Sequence, residues 1–256
     1  MNPDIKTVLI TGASAGIGAS CARAFARAGA RLVLAARRTE RLQALAEELR
    51  AAHGTESHLV ALDVRDAEAV AAALGALPSQ WAEVDVLVNN AGLGRGMEKL
   101  QDGAPADWDE MIDTNVKGLL YTTRAVVPGM VERGRGHVVN LGSVAGHEVY
   151  PGGAVYCATK HAVDAITRGL RMDLLGTGVR VSTVDPGMVE TEFSVQRFRG
   201  DEERARRVYA GMTPLTPDDI ADAVLWCTTR PPHVNIDEII LKPTDQASAT
   251  QVHRRG

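Results

Sequence analysis

Ile5-Lys-Thr-Val-Leu-Ile-Thr-Gly-Ala-Ser-Ala-Gly-Ile-Gly18 decides how the rest of the chain is to be read. Ile5 to Thr11 is apolar and β-branched, the signature of a buried strand. Gly12, Gly16 and Gly18 follow, and an Ala-rich helical stretch runs on to about Gly29. A strand that turns through glycines into a helix presents free backbone amides and the positive end of a helix dipole, which suit phosphate. The spacing is G-x-x-x-G-x-G rather than the G-x-G-x-x-G of the common dinucleotide loop. A bare tight turn would use the same glycines, but between a first strand and a first helix the phosphate cradle is the stronger reading.

Outward from this unit the pattern repeats. Strands are expected at Arg31–Ala36, Ser57–Asp63, Val84–Asn89, His137–Gly142, Val179–Asp185 and Glu238–Leu241, with helices from about Arg38 to His53 and Ala67 to Leu77. Trp108 to about Arg133 reads as one long helix or two abutting ones, interrupted near Asn115 and Gly118; Val155–Leu175 and Pro217–Arg230 read as helices. Alternating strands and helices with short connections predict an α/β fold, a doubly wound parallel sheet of about seven strands with helices on both faces. Only 188–213 departs, with weak periodicity, many charges and no strand signal, and it reads as an irregular lid over a site. With no repeat, low-complexity tract or linker, residues 1–256 are expected to form one domain.

Composition narrows the function classes. Hydrophobic residues at 45% and charged residues at 23% are ordinary for a globular chain. A net charge of −4 and the lack of a long basic run argue against nucleic acid as a partner. Cys21, Cys157 and Cys227 are odd in number and widely spaced, so neither a disulfide framework nor a metal site is expected. Met1-Asn-Pro-Asp-Ile-Lys6 shows no charged-then-apolar leader, and no apolar run approaches the roughly 20 residues of a membrane helix. A cytoplasmic location is the expectation.

The chemistry centres on Tyr156-Cys-Ala-Thr-Lys160, with Ser143 thirteen residues upstream. Positions i and i+4 share one helix face. A tyrosine of ordinary pKa, about 10, is a poor base at neutral pH, and a nearby ammonium favours its phenolate. Ser143 follows an apolar strand, so its hydroxyl emerges at a carboxyl end, the edge of a parallel sheet where ligands bind. A Tyr and a Lys four apart also occur by chance on many helices, so the pair needs its context. Asp63 ends a strand, where its carboxylate can accept from an adenine amino group or cap the next helix. Asn89-Asn-Ala-Gly92 can line a crevice or brace a loop, and Asn115 either faces solvent or aims inward from a distorted helix.

In this order and spacing, Thr11–Gly18, Asn89–Gly92, Asn115, Ser143, Tyr156–Lys160 and P-G-x-x-x-T (Pro186–Thr191) resemble the short-chain dehydrogenase/reductase family. The resemblance implies a Rossmann-like fold over the whole chain and hydride transfer between nicotinamide and a secondary alcohol or carbonyl. Tyr156 would exchange the hydroxyl proton, Ser143 would hydrogen-bond the substrate oxygen, Lys160 would hold the nicotinamide ribose, and Asn115 would support a water relay. Gly12, Ser14, Gly16, Ile17, Gly18, Asp63, Val64, Asn90, Ala91, Gly92, Pro186, Gly187, Val189 and Thr191 would hold the cofactor together with Tyr156 and Lys160. Met111–Asn115, Gly129–Arg133, Tyr150–Gly153, Thr191–Ser194 and His233–Ile236 are similar to the bacterial NADP-dependent 3-hydroxy acid dehydrogenases that oxidise serine and allo-threonine. Pro186–Thr191 lacks one or two glycines expected there. A reductase of other ketones or aldehydes is the alternative. A catalytically idle, cofactor-sensing regulator is disfavoured by the intact Asn115, Ser143, Tyr156 and Lys160.

Three finer expectations follow. The second strand ends at Ala36 and continues into Arg37-Arg38, where an NAD-binding chain would carry an acid, so the cofactor is expected to be NADP. Arg197, Arg199, Arg204, Arg206 and Arg207 crowd the lid, where a guanidinium can bind a substrate carboxylate or simply alternate with acids on a solvated face. Met111, Ile112, Val116, Leu119, Leu120, Val126, Val127 and Met130 form an apolar stripe that, with the family's habit, suggests a homotetramer.

Overall fold

The computed structural model describes residues 5–255; the proposed start of the domain and the reading of Met1–Asp4 lie outside them. Seven strands form one parallel sheet in the order β3-β2-β1-β4-β5-β6-β7. They are β1 (Thr7–Thr11), β2 (Arg31–Ala36), β3 (Ser57–Ala61), β4 (Val86–Asn89), β5 (Gly136–Leu141), β6 (Val179–Pro186) and β7 (Glu238–Leu241). Both faces of the sheet are covered, which is why β1 is buried at every position rather than alternating. Along it, Val8 and Ile10 enter one core with Leu32, Leu34 and Phe25, whereas Leu9 enters the other with Val33, Ala35, Leu87 and Met130. The α/β doubly wound architecture with helices on both faces is as expected from the sequence.

The helices are α1 (Gly16–Arg27), α2 (Thr39–His53), α3 (Ala67–Gly75), α4 (Ser79–Ala82), α5 (Pro105–Ile112), α6 (Leu119–Glu132), α7 (Ala154–Asp173), α8 (Glu192–Arg197), α9 (Glu202–Tyr209) and α10 (Pro217–Thr228). Thr216 and Asp219 close a capping box on α10. Between α5 and α6 the chain widens into a π-helical turn over Asp113–Gly118, so the interruption expected near Asn115 is a bulge within a continuous helical path. The 188–213 segment needs correction: it is not irregular, but carries α8 and α9, each capped by the residue before it, Thr191 and Asp201. Their short lengths and dense charge hid the helical period.

The order reverses between β1 and β4, and there the crossovers leave a crevice at the strands' carboxyl ends. Cys21, Cys157 and Cys227 are buried and free. Among the described residues no helix is long and apolar enough to cross a membrane.

Candidate active site

The crevice is a cleft of about 690 Å³. Gly12, Ser14, Gly16, Ile17, Arg37, Arg38, Asp63, Val64, Asn90, Ala91 and Gly92 line one part of it. Ser143, Tyr156, Lys160, Pro186, Gly187 and Val189 line the other, and Thr191 lies against Gly16, 3.4 Å from where a Cβ there would stand. Gly18 and Asn115 stand behind the wall. A Cβ on Gly18 would lie 2.5 Å from both the Gly12 carbonyl and Asn90 Nδ2, so this glycine lets α1 pack closely onto the loop. Gly12 and Gly16 adopt φ of +65° and +52°, the left-handed region that lets the loop fold back. Among the described residues no side chain caps α1, whose first turn lines the cleft at Gly16 and Ile17, so its first-turn amides have no side-chain acceptor, as a phosphate cradle requires.

Asn90 ties the two glycine-bearing loops together: its Nδ2 donates to the Thr11 carbonyl at 2.9 Å, while its own N–H and that of Ala91 donate to Thr11 Oγ1. Asn89 instead braces the interior through Thr123 and Asn140. Asp63 does not cap the next helix; Asp66 does, accepting from Ala69 N–H at 2.9 Å. Asp63 is clamped by Arg65, which holds its carboxyl below the usual range, and Arg37 approaches it at 3.9 Å.

At the other part of the cleft, α7 carries Tyr156 and Lys160 on one face. Asn115 is aimed inward by the π-helical turn and is almost fully buried. Its Oδ1 accepts from Leu93 N–H at 2.8 Å, while its Nδ2 donates to the Leu93 carbonyl and to Thr159 Oγ1. It therefore fixes the 91–93 loop against α7, beside Lys160: a Cβ on Gly92 would lie 3.3 Å from Asn115 Oδ1 and 3.8 Å from Lys160 Nζ.

Lys160 Nζ donates to the Leu141 carbonyl at 2.8 Å, and burial brings its pKa down to about 8 against the opposing charge of Asp185. Asp185 is the next-to-last residue of β6, and His147 Nε2 meets both it and Glu238, at 2.7 and 2.9 Å; no signal in the sequence announced this group. Tyr156 departs from expectation. Burial pushes its phenol up, Arg197 and Ser143 pull it down, and burial prevails. The lysine ammonium lies 5.9 Å from the ring centroid and bonds the backbone rather than the hydroxyl.

The lid supplies residues that spacing alone could not find. Phe193 of α8 packs on the Tyr156 ring with centroids 5.6 Å apart. Arg197 lies over the same ring at 5.3 Å and donates from both terminal nitrogens to Tyr150 Oη at 3.1 Å. The other four arginines take the solvated reading: Arg199 pairs with Asp107, Arg204 approaches Glu98, Arg206 pairs with Glu202, and Arg207 with Glu203. Arg95 borders the cleft but is neutralised by Glu110 at 2.6 Å.

A phosphate-binding turn at the switch point of a seven-stranded parallel sheet, with serine, tyrosine and lysine gathered at the facing strand ends, defines a nicotinamide-dependent oxidoreductase site. The model of the short chain dehydrogenase family matches residues 6–202, well over half the chain, and the protein belongs to that family as one of its oxidoreductases. The NADP-dependent 3-hydroxy acid dehydrogenase of Salmonella typhi is 50% identical over 249 residues, covering 96% of this chain and 99% of the relative. Sulfoacetaldehyde reductase 2 of Chromohalobacter salexigens is 49% identical over 249 residues, covering 96% and 98%. A solved closed form of serine dehydrogenase complexed with NADP+ matches with a TM-score of 0.91 at 47% identity, over 97% of this chain and all of that one.

Proposed function

We propose that this enzyme transfers hydride between NADP and the hydroxyl-bearing carbon of a small 3-hydroxy acid, with serine and allo-threonine as the leading substrates. The observation that carries the substrate class is Arg197: a part-buried guanidinium beside Tyr156 that, among the described residues, pairs with no carboxylate. Bound nicotinamide supplies the hydride acceptor or donor. Tyr156 takes the alcohol proton in oxidation and returns it in reduction. Ser143 Oγ orients the substrate oxygen, and Lys160 holds the ribose and places a positive charge behind the phenol. Arg197 fixes the acid group so that the reacting carbon is presented in one orientation. Asn115 holds the loop that shapes this pocket. Gly12, Ser14, Gly16, Ile17, Asp63, Val64, Asn90, Ala91, Gly92 and the Pro186–Thr191 loop hold the cofactor. That loop, short by a residue or two, is pinned through Met188 and Glu190 to Leu215 and through Met188 to Gln246.

A second reading has support in the 49% identity to a sulfoacetaldehyde reductase, since a guanidinium can donate to a sulfonate as well as to a carboxylate. A panel read by NADPH absorbance separates them. Serine, allo-threonine and 3-hydroxypropionate are expected to turn over, and Arg197→Leu should raise KM for these acids by about 10- to 100-fold while sparing neutral alcohols. Inactive acids with active neutral alcohols would refute the proposal; inactive acids with rapid sulfoacetaldehyde reduction would favour the second reading.

One sheet carries all seven strands, which supports a single cofactor-binding domain over 1–256 with 188–213 as its substrate-side lid. We place the enzyme in the cytoplasm as a homotetramer. The apolar stripe first offered for assembly is largely used inside the subunit: Met111, Leu119, Val126, Val127 and Met130 are buried. Ile112, Leu120, Val149, Met172, Leu175 and Ile240 remain exposed, and these support contact between copies. Light scattering at micromolar concentration should give four times the 27.3 kDa chain mass; a monomer would contradict the assembly.

A further inference from the structure

Glu192, the first residue of α8, pairs with two arginines at the rim of the cleft. Its carboxylate meets Arg38 Nη1 at 3.0 Å and Arg41 Nη1 at 2.6 and 2.8 Å. On its other side Arg38 donates from Nε to Ser14 Oγ at 3.2 Å, in the glycine loop. Arg38 is one of the two arginines on which the NADP reading rests, and the lid's acid already occupies it. Burial would raise the Glu192 carboxyl, but Arg38 and Arg41 hold it below the usual range, so the group is a carboxylate at neutral pH. The pairs are four- to five-tenths exposed, where ion pairs contribute little each and are readily exchanged. The same six-residue helix carries Phe193 onto Tyr156 and ends at Arg197, so one rigid element joins the ribose end of the cleft to the reacting end.

We propose that Glu192 is an internal competitor for the 2′-phosphate: Arg38 and Arg41 hold the lid carboxylate, then exchange it for the phosphate, making Arg41 a further cofactor-specificity residue. The inference rests on the NADP reading of Arg38. The reason for exchange rather than sharing is charge. A phosphate monoester carries about −1.5 to −2 near pH 7 and offers three acceptor oxygens, so a carboxylate left on the same guanidinium would repel it. Two arginines facing a dianion match its charge, whereas two facing one carboxylate leave an excess of one positive charge. NAD, which lacks the 2′-phosphate, leaves Glu192 where it is. Choice of cofactor is thereby linked to where α8 rests over the substrate.

The test is calorimetric titration of the full chain with 2′,5′-ADP and, separately, with 5′-AMP, which lacks the 2′-phosphate. Glu192→Gln keeps the shape but not the charge, and should tighten 2′,5′-ADP about three- to tenfold with 5′-AMP unchanged. Arg41→Gln should weaken 2′,5′-ADP about tenfold and again leave 5′-AMP alone. If the unmutated protein favours 2′,5′-ADP but Glu192→Gln leaves it unchanged or weaker, or shifts both ligands alike, the competitor role is overturned and the NADP reading survives. If the unmutated protein binds the two ligands equally, both fall.

Discussion

Tyr156→Phe is expected to lower turnover by about two to four orders of magnitude while leaving NADP affinity and the melting temperature near those of the unmutated enzyme. The substitution removes one oxygen and keeps the ring, and the ring is what the surroundings hold: Phe193 packs against it at a tilt and Arg197 lies over it. Packing and lid position should therefore survive. What disappears is the atom that exchanges the alcohol proton, and the neighbours cannot replace it. Lys160 Nζ is committed to the Leu141 carbonyl, and Ser143 Oγ accepts from Ala145 N–H at 3.1 Å while lying 3.4 Å from the Pro186 carbonyl. Burial holds the Tyr156 phenol up, so the base function needs positive charge in the loaded cleft, and Lys160, brought to about 8, supplies it in its ammonium form only below that pH. The checks are kcat from NADPH absorbance and Kd from cofactor fluorescence. A variant keeping more than about a tenth of normal turnover would remove Tyr156 from the role.

Replacing Arg37 and Arg38 together with Ala should weaken NADP by about a hundredfold and leave NAD nearly untouched. β2 ends at Ala36, and in the place where a carboxylate would accept from a ribose 2′-hydroxyl the chain turns into two arginines. Glu40 is no substitute, because it lies in the first turn of α2, where it complements the helix dipole. The two arginines are not equivalent. Arg38 is held at the cleft by Ser14 Oγ, whereas Arg37 reaches back to Asp63 at 3.9 Å with half its side chain in solvent. Arg38→Ala alone should therefore account for most of the loss. Equal kcat/KM with NAD and NADP in the unmutated enzyme would contradict the assignment.

The order of elements was legible because its signals are local. Glycines marking the turn after β1, β-branched runs of strand length and helical periodicity over α2, α7 and α10 each lie within a few turns of chain. The order and spacing of Thr11–Gly18, Ser143 and Tyr156–Lys160 likewise pointed to one crevice, since residues at successive strand ends of a parallel sheet meet at the same edge. Other features were settled only by tertiary structure. Asn115 turns inward because the helix widens over Asp113–Gly118, and a one-residue bulge rotates a side chain in a way no propensity encodes. Asp63 was a plausible cap until Asp66 took the cap and Arg65 took Asp63. Five lid arginines looked alike along the chain, and only the docking of α8 separates Arg197, which reaches Tyr150 and Tyr156, from four that pair with nearby acids. Glu192 and Arg38 stand 154 positions apart, so their contact had no local trace. The sequence by itself determined which elements form and which chemistry gathers at the strand ends. Tertiary packing decided which charges face the cleft and which face each other, because a side chain's partners depend on how distant elements are laid together.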